Sequence, residues 1–293
     1  MPRLKPAPGY ITAADAISML DISDATLSQY VKRGWLKRYG PLERKHKFYK
    51  LSEVEAIIAA RNTFDEYQEK LPAFFEPATP GDIPTIVNID ERTFNADHQW
   101  EEPRELYIQW VGETYSRWLG KNPEAFSVLR DTAGKVVGYS IFLPLKKAII
   151  DRFVRDEMSM SDILPDDVDL FEPGKPLHIY VIALCVDPVY KSKEVKHGYG
   201  KRLIQGLFNF MLDLARRGIE IETITARSYT PDGKRLLREM GMTHLRSPVP
   251  EKELFSIRVA DSGFWALVRY SDLLDEWKRE HQKGGTDTSI TAH

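Results

Sequence analysis

The residue types best suited to chemistry gather in the second half of the chain. Residues 177–186 are its most apolar segment. They leave through Val186-Asp187-Pro188-Val189-Tyr190 and a lysine-rich loop, after which His197-Gly198-Tyr199-Gly200-Lys201 opens a helix. A strand that feeds a glycine-rich turn at a helix N-terminus makes an anion site. Glycines leave room for close approach, the free N–H groups of the first turn point outward, and the helix dipole adds positive potential, a combination suited to a pyrophosphate. A lone Gly-x-Gly starts many helices, so its surroundings decide its meaning. Acid–base candidates are sparser. His178, early on the apolar strand, reads either as a base or as a structural histidine. Glu91, His98, Trp100, Glu101 and Glu102 fall around the connection between two helices, where their carboxylates suit a cationic amine or simply belong to a surface loop. Cys185 is flanked by apolar residues and reads as core rather than nucleophile. As the single cysteine it offers neither an internal disulfide nor a metal cluster. Asp166, Asp167 and Asp169 lack metal-ligand spacing and read as a solvated face, so no metal site is expected.

The elements that must position these residues follow from apolar periodicity. From about residue 73 strands and helices alternate, beginning with a strand at 74–78. Helices are predicted over 82–94 and 104–118, and strands over 126–130 and 135–143 joined by the hairpin signal Asp131-Thr132-Ala133-Gly134. A charged insertion at 145–171 starts with a helix. The helix after the glycines carries an inner stripe of Leu203, Ile204, Leu207, Phe208, Met211 and Leu212 and ends at Gly218. A strand at 219–226, a short helix at 232–239 and a strand over 257–270 come next, with a further helix to about residue 282.

The first 70 residues are organised differently. Ile11, Ala14, Ile17 and Leu20 recur at helical spacing behind Thr12 as N-cap, and Ser23 caps a second helix over 24–33 that Gly34 closes. Leu27, Tyr30 and Val31 form the inward stripe of that helix, and Thr26, Gln29, Lys32 and Arg33 fall on its outward side. Residues 37–50 read as a basic hairpin or wing. Ser52 and Glu55 read as a capping box for a third helix over 53–70, in which Phe64 and Tyr67 could pair two chains or pack on their own domain.

Composition bounds the function. At 293 residues, 42% hydrophobic and 29% charged, the chain is long enough for two domains and is neither disordered throughout, collagen-like nor a small disulfide scaffold. The longest strongly apolar stretch, 180–186, falls far short of the roughly 20 residues that cross a bilayer. The N-terminus has early prolines and no hydrophobic segment, so it does not read as a secretory signal, and a cytoplasmic protein is expected. Residues 1–50 hold ten Lys/Arg against four acids, a charge of +6 that leaves −8 on the remainder. A basic head on an acidic body reads either as two parts that meet different partners, one of them a polyanion, or as a plain solvated surface.

Two resemblances follow from these motifs. The run from Tyr10-Ile-Thr-Ala-Ala-Asp-Ala to Tyr30-Val-Lys-Arg-Gly-Trp-Leu, then Lys47-Phe-Tyr-Lys-Leu-Ser-Glu-Val, resembles a MerR/excisionase-type winged helix-turn-helix over about 50 residues. That likeness implies double-stranded DNA as partner. Thr26, Gln29 and Arg33 would read bases, Lys32, Arg44, Lys45 and Lys47 would contact phosphates, and a homodimer would present two half-sites. A protein-docking role for the same module stays open.

The order of the Asp131–Gly138 hairpin, the Val186-x-Pro188 exit, the Gly-Tyr-Gly helix start and Glu239-Met-Gly-Met242 makes residues 74–270 similar to the GNAT superfamily of N-acetyltransferases. That likeness implies acetyl-CoA as cosubstrate and an amine as acceptor. Leu184, Cys185 and Val186 would line the pantetheine arm, and the amides of Val195, Lys196, His197, Gly198, Tyr199, Gly200 and Lys201 would hold the pyrophosphate. The chain departs from the family pattern in two places. The loop before Gly198 is about four residues longer, with Val195 where the motif has Gln or Arg, so that Lys191, Lys193 and Lys196 would take over phosphate contacts. The usual general-acid tyrosine position holds Leu237, leaving Tyr229 as the nearest proton donor and His178 as the candidate base. The expected fold is α+β: a winged helix-turn-helix over 1–70, a mixed sheet flanked by helices over 71–282, and a disordered tail over 283–293. An acetyltransferase and a regulator that senses an acyl-CoA or another ligand without turnover both fit it. An excisionase-like accessory protein rests on the head alone.

Overall fold

The computed structural model describes residues 6–32, 36–40, 47–58, 71–94, 103–228, 230–245 and 253–283. The chain divides into two compact units, Met1–Glu66 and Tyr67–His293.

In the first unit Thr12 caps α1 (Ala13–Leu20). Its hydroxyl accepts the Asp15 N–H, and the Asp15 carboxylate accepts the Thr12 N–H at 3.0 Å. Asp21 ends the helix at φ 50°, a left-handed conformation that Asp tolerates better than most residues. Ser23 then accepts the Thr26 N–H at 3.1 Å to start α2 (Asp24–Lys32). Strand β1 (Tyr10–Thr12) pairs antiparallel with β2 (Phe48–Lys50), and Tyr39 bridges Phe48. A third helix, α3, covers 51–58. It begins at Leu51, so Ser52 lies inside its first turn and does not cap it. Glu53 ties the pieces together, accepting from the Tyr39 hydroxyl at 2.8 Å and the Lys37 N–H at 3.0 Å over buried Leu20, Leu27, Tyr30, Leu36, Tyr49 and Val54. The wing tip at 41–46 and the segment 59–70 with Phe64 and Tyr67 lie outside the described residues.

The second unit is built on strands β3 (Ala73–Pro77), β4 (Phe126–Asp131), β5 (Val136–Leu145), β6 (Leu177–Val186), β7 (Ile221–Ser228), β8 (Thr243–Leu245) and β9 (Glu253–Arg258). They form one seven-stranded sheet in the order β3-β4-β5-β6-β7-β9-β8, antiparallel throughout except for the parallel pair β6–β7. Every residue of β5 is buried, which is why it reads as a continuous apolar run rather than an alternating one. Helices α4 (Ile83–Phe94) and α5 (Arg104–Lys121) precede β4. Helix α6 (Lys147–Val154) opens the insertion, α7 (Lys193–Arg216) forms the crossover from β6 to β7, α8 (Pro231–Glu239) follows β7, and α9 (Trp265–Lys283) closes the unit.

Side-chain alternation sorts the helices onto two faces. Phe142 meets Phe210 of α7 edge-on at 6.4 Å, and Phe171 meets the same Phe210 ring edge-on at 5.5 Å. The neighbouring register pair Leu143–Tyr180 lies on the opposite face, where Phe153 of α6 stacks on Tyr180 at 5.1 Å. Tyr139 shares that second face and bonds Asp90 of α4. Against the sheet's first face α7 packs so closely that a Cβ at Gly206 would lie 2.1 Å from the Phe75 ring.

Two sequence expectations are corrected here. The strand read over 257–270 stops at Arg258 in a 3-10 turn, and helix α9 begins at Trp265. The buried residues Ala266, Leu267, Tyr270, Leu273 and Leu274 follow helical spacing, a pattern that the flanking β-type residues obscured. The helix expected to open at the glycines begins at Lys193, with Ser192 as its cap.

Candidate functional site

The site grows from an interruption in the sheet. Strand β6 pairs with β7 only from Leu177↔Ile221 to Val181↔Ala226, and the ladder then ends. At the same point β6 slips against β5: Ile141 pairs with Ala183 and Phe142 with Val181, so Ile182 is an extra residue in β6. Such a bulge bends its strand and increases the local twist. Beyond it Ala183 to Val186 continue on β5 alone, with Gly138 opposite Val186. The fit there is tight, since a Cβ at Gly138 would lie 2.8 Å from the Cys185 carbonyl oxygen. Val181, Ile182 and Leu184 are half-exposed although they sit on the central strand. An edge that has lost its neighbour presents backbone donors and acceptors to whatever fills the gap.

The end of β6 is fixed by charge. Asp187 is 3% exposed and accepts two bonds from Arg92 of α4, at 3.2 and 3.0 Å, and one from the Val189 N–H at 3.1 Å. Its own N–H donates to the Val137 carbonyl at 2.9 Å. The chain is thereby turned toward Tyr190, whose ring meets Tyr199 edge-on at 5.2 Å and lies beneath the Lys135 ammonium at 5.3 Å. Lys135 is presented by the hairpin before β5, where Asp131 accepts from the N–H groups of Ala133 and Lys135. Exposed Lys191, Lys193 and Lys196 flank the start of α7. The Ser192 side chain accepts the Val195 N–H and the Ser192 carbonyl accepts the Lys196 N–H. A helix N-terminus surrounded by lysines is a site for phosphate groups.

This geometry relocates several expected residues. Leu184, Cys185 and Val186 lie on the strand segment that has parted from β7; Leu184 is half-exposed there, and Cys185 and Val186 are buried. Val195 and Lys196 sit in the first turn of α7, and their N–H groups are already taken by the Ser192 side chain and carbonyl, so neither amide is free for a phosphate. His197, Gly198, Tyr199, Gly200 and Lys201 do not offer free amides, because the earlier helix start places their N–H groups inside α7, where i→i−4 bonds take them. The four extra loop residues have become the first helical turn. Gly198 and Tyr199 are buried, and Tyr199 packs with Val186 and Leu203.

His178 is held by its neighbours, Nδ1 at 3.0 Å from the Thr223 hydroxyl and Nε2 at 3.9 Å from Glu222. Four residues of strand separate it from Ile182, roughly 13 Å, so the structure does not bring it to the parted edge. The Cys185 thiol is pushed far up by burial and by the charge of Asp90, an inert environment for sulfur. Leu237 is half-buried on α8, against the core. Tyr229, His98, Trp100, Glu101 and Glu102 lie outside the described residues. Glu91 is buried and bonds Arg104 at 2.8 and 3.1 Å, which makes it a structural anchor instead of an acceptor-facing carboxylate.

In the first unit Thr26 is fully buried, its hydroxyl 2.9 Å from that of Ser23, so it belongs to the helix start and cannot read a base. Lys32 is exposed in the last turn of α2 and Lys47 is half-exposed. Arg33, Arg44, Lys45 and the Gln29 side chain lie outside the described residues. Sequence reasoning missed Asp90, Arg92 and Lys135. No spacing rule joins Arg92 to a partner 95 residues away. Among the described residues no cluster of His, Cys, Asp and Glu could hold a metal, and no helix is long and apolar enough to cross a membrane.

No protein-family model matches the chain, and no curated protein matches it. Solved structures do. One is the C-terminal condensation domain of Ebony in complex with beta-alanyl-dopamine, at 12% identity over 64% of this chain and 99% of that one, with a TM-score of 0.42. Another is the histone acetyltransferase HPA2 and related acetyltransferase from Corynebacterium glutamicum, at 19% identity over 63% and 94%, TM-score 0.38. A third is the PaiA N-acetyltransferase from Thermoplasma acidophilum in complex with coenzyme A, at 10% identity over 64% and 99%, TM-score 0.39.

Proposed function

We propose that residues 67–293 transfer an acetyl group from acetyl-CoA to an amine, in the manner of GNAT-type N-acetyltransferases. One observation carries the reading: a parallel strand pair that parts at a bulge at Ile182 and leads into a helix N-terminus ringed by lysines. The parted edge at 182–186 suits the amide-bearing pantetheine arm. The first turn of α7, with Lys191, Lys193, Lys196 and Lys135, suits the phosphates, and the aromatic pair Tyr190–Tyr199 braces that end. Acetyl-CoA supplies an activated thioester. The amine nitrogen attacks its carbonyl and gives up a proton to water, the C–S bond breaks, and the departing thiolate takes a proton so that CoA leaves as the thiol. Tyr229 is the proposed proton donor to the departing sulfur, because Leu237 cannot serve.

The test is acetyl-CoA titration by calorimetry followed by free-thiol release with a panel of amines. Lys193→Glu with Lys196→Glu should weaken binding at least about tenfold, since like charges oppose at the phosphates. Undiminished affinity would retire the cofactor assignment. Binding without thiol release for any amine would favour the second reading, a ligand-sensing regulator, which the leucine at position 237 supports.

We further infer that residues 1–66 bind double-stranded DNA through Gln29 and Lys32 of α2 together with Arg33, Arg44, Lys45 and Lys47. The +6 charge of residues 1–50 and the exposure of Lys32 support this. Two copies in a homodimer would read two half-sites. Replacing Lys32 and Lys45 by alanine should weaken binding and flatten its salt dependence; an unchanged salt slope would sink this part.

A further inference from the structure

Three consecutive residues near the end of α4 each hold a side chain from another element, and two of these contacts concern the parted half of β6. Asp90 is 3% exposed and accepts from three phenols: Tyr107 at 2.6 Å and Tyr115 at 2.8 Å, both on α5, and Tyr139 on β5. Glu91 holds Arg104 at the start of α5, and Arg92 holds Asp187 at the exit of β6. Tyr139 is the register partner of Cys185. Two of the three contacts therefore fall on either end of one short stretch, Cys185 and Asp187, which β7 no longer supports.

A carboxylate has room for about four hydrogen bonds, and three phenols nearly fill Asp90. Among the described residues none pairs it with a cation. Buried charge held this way is seldom more stabilising than apolar side chains of similar volume, so stability alone does not account for the choice of residues. What the hub adds is direction, since one carboxyl group shared by three phenols fixes their positions more narrowly than packing does; burial acts to raise its pKa and prevails over the three phenol bonds that act to lower it. We propose that Asp90 and Arg92 form a clasp that holds the unzipped half of β6 in a single position, and that Asp90 acts, through Tyr139, as a positioning residue for the acyl-binding edge. The functional half of this rests on the acetyltransferase reading; the mechanical half does not.

The experiment is amide hydrogen exchange on the ligand-free full-length chain, resolved within β6, which reads local opening. Tyr139→Phe removes one oxygen and only the link to β5. Tyr107→Phe removes an equivalent bond of the same hub on the α5 side. The clasp predicts that Tyr139→Phe and Asp90→Asn speed exchange at 182–187 by about tenfold, about 1.4 kcal/mol at 25 °C, and leave 177–181 unchanged. Tyr107→Phe should alter 182–187 by less than about twofold on the same scale. If Asp90→Asn does not fold, Tyr139→Phe alone decides. Equal effects of the two tyrosine variants, or a change spread evenly over 177–187, would overturn the proposal. Acetyl-CoA titration of the same variants completes the test, with weaker binding expected for Tyr139→Phe than for Tyr107→Phe. A wild-type chain that does not bind acetyl-CoA, with the exchange pattern as expected, overturns the acetyltransferase reading and leaves the clasp standing.

Discussion

The Arg92–Asp187 pair allows a prediction about asymmetry. Arg92 is 41% exposed at its side chain and Asp187 5%. Arg92→Ala leaves a carboxylate stranded in the interior with one backbone donor, Val189 N–H. Removing one partner of a buried pair costs about 3–5 kcal/mol, and the surviving donor puts this case near 3. Asp187→Ala leaves an arginine that returns to water and a Val189 N–H beside a half-exposed side chain. Its cost is the lost bonds alone, about 1–1.5 kcal/mol. The double variant should be more stable than Arg92→Ala, because no orphan charge remains. Urea unfolding followed by tryptophan fluorescence suits the measurement, since five of the six tryptophans, all but Trp35, fall within residues 67–293. Arg92→Ala should lower the thermal midpoint by roughly 6–12 °C at about 2–4 °C per kcal/mol. If Asp187→Ala costs as much as Arg92→Ala, or if the two losses simply add, the argument from burial is wrong.

Other expectations follow from single contacts. Burial acts to raise the Asp82 carboxyl, but Arg130, at 2.7 and 2.8 Å, and the Thr79 N–H and hydroxyl outweigh it and hold the group below its usual range. A depressed folded value gives stability present above the unfolded pKa near 3.9 and lost as pH falls through the lower folded one. Arg130→Gln should therefore make the acid limb of unfolding, measured below about pH 4, shallower than in the wild type. Gly206→Val drives a side chain into Phe75 and should cost about 1–3 kcal/mol in the same urea assay, partly recovered when Phe75 is changed to Ala. Thr26→Val should destabilise the first unit by about 1 kcal/mol in thermal melts and leave the proposed DNA binding unchanged, the reverse of Lys32→Ala.

Local signals carried much of the architecture. Thr12 announced the start of α1 because a cap needs only a hydroxyl three residues ahead of a donor, and the Asp131–Gly134 hairpin announced itself by turn chemistry. The apolar run at 177–186 marked the central strand because burial on both faces removes alternation. Where two local codes overlapped, the reading slipped. Ser192 is an ordinary cap, but the glycines at 198 and 200 are the stronger local signal, and they lie inside α7 rather than at its start. Residues 265–270 favour strand by type, and only the surface of α7 that they cover selects a helix, as Phe208 meeting Phe264 and Trp265 shows.

What the sequence determined by itself was therefore the alternation of the longer strands and helices, the basic head, the lysines around the start of α7 and the apolar strand that precedes them. All depend on residues within a few positions of one another. The tertiary structure alone decided that β6 parts from β7 after Val181, that Ile182 is the bulge, that Thr26 points inward, and that Asp90 gathers phenols from α5 and β5. These depend on register and on partners up to 95 residues apart, whose meeting is set by how the helices close over the sheet. Local propensity fixes which elements form, but the free energy that chooses a register or buries a charge is summed over contacts that exist only once the chain has folded.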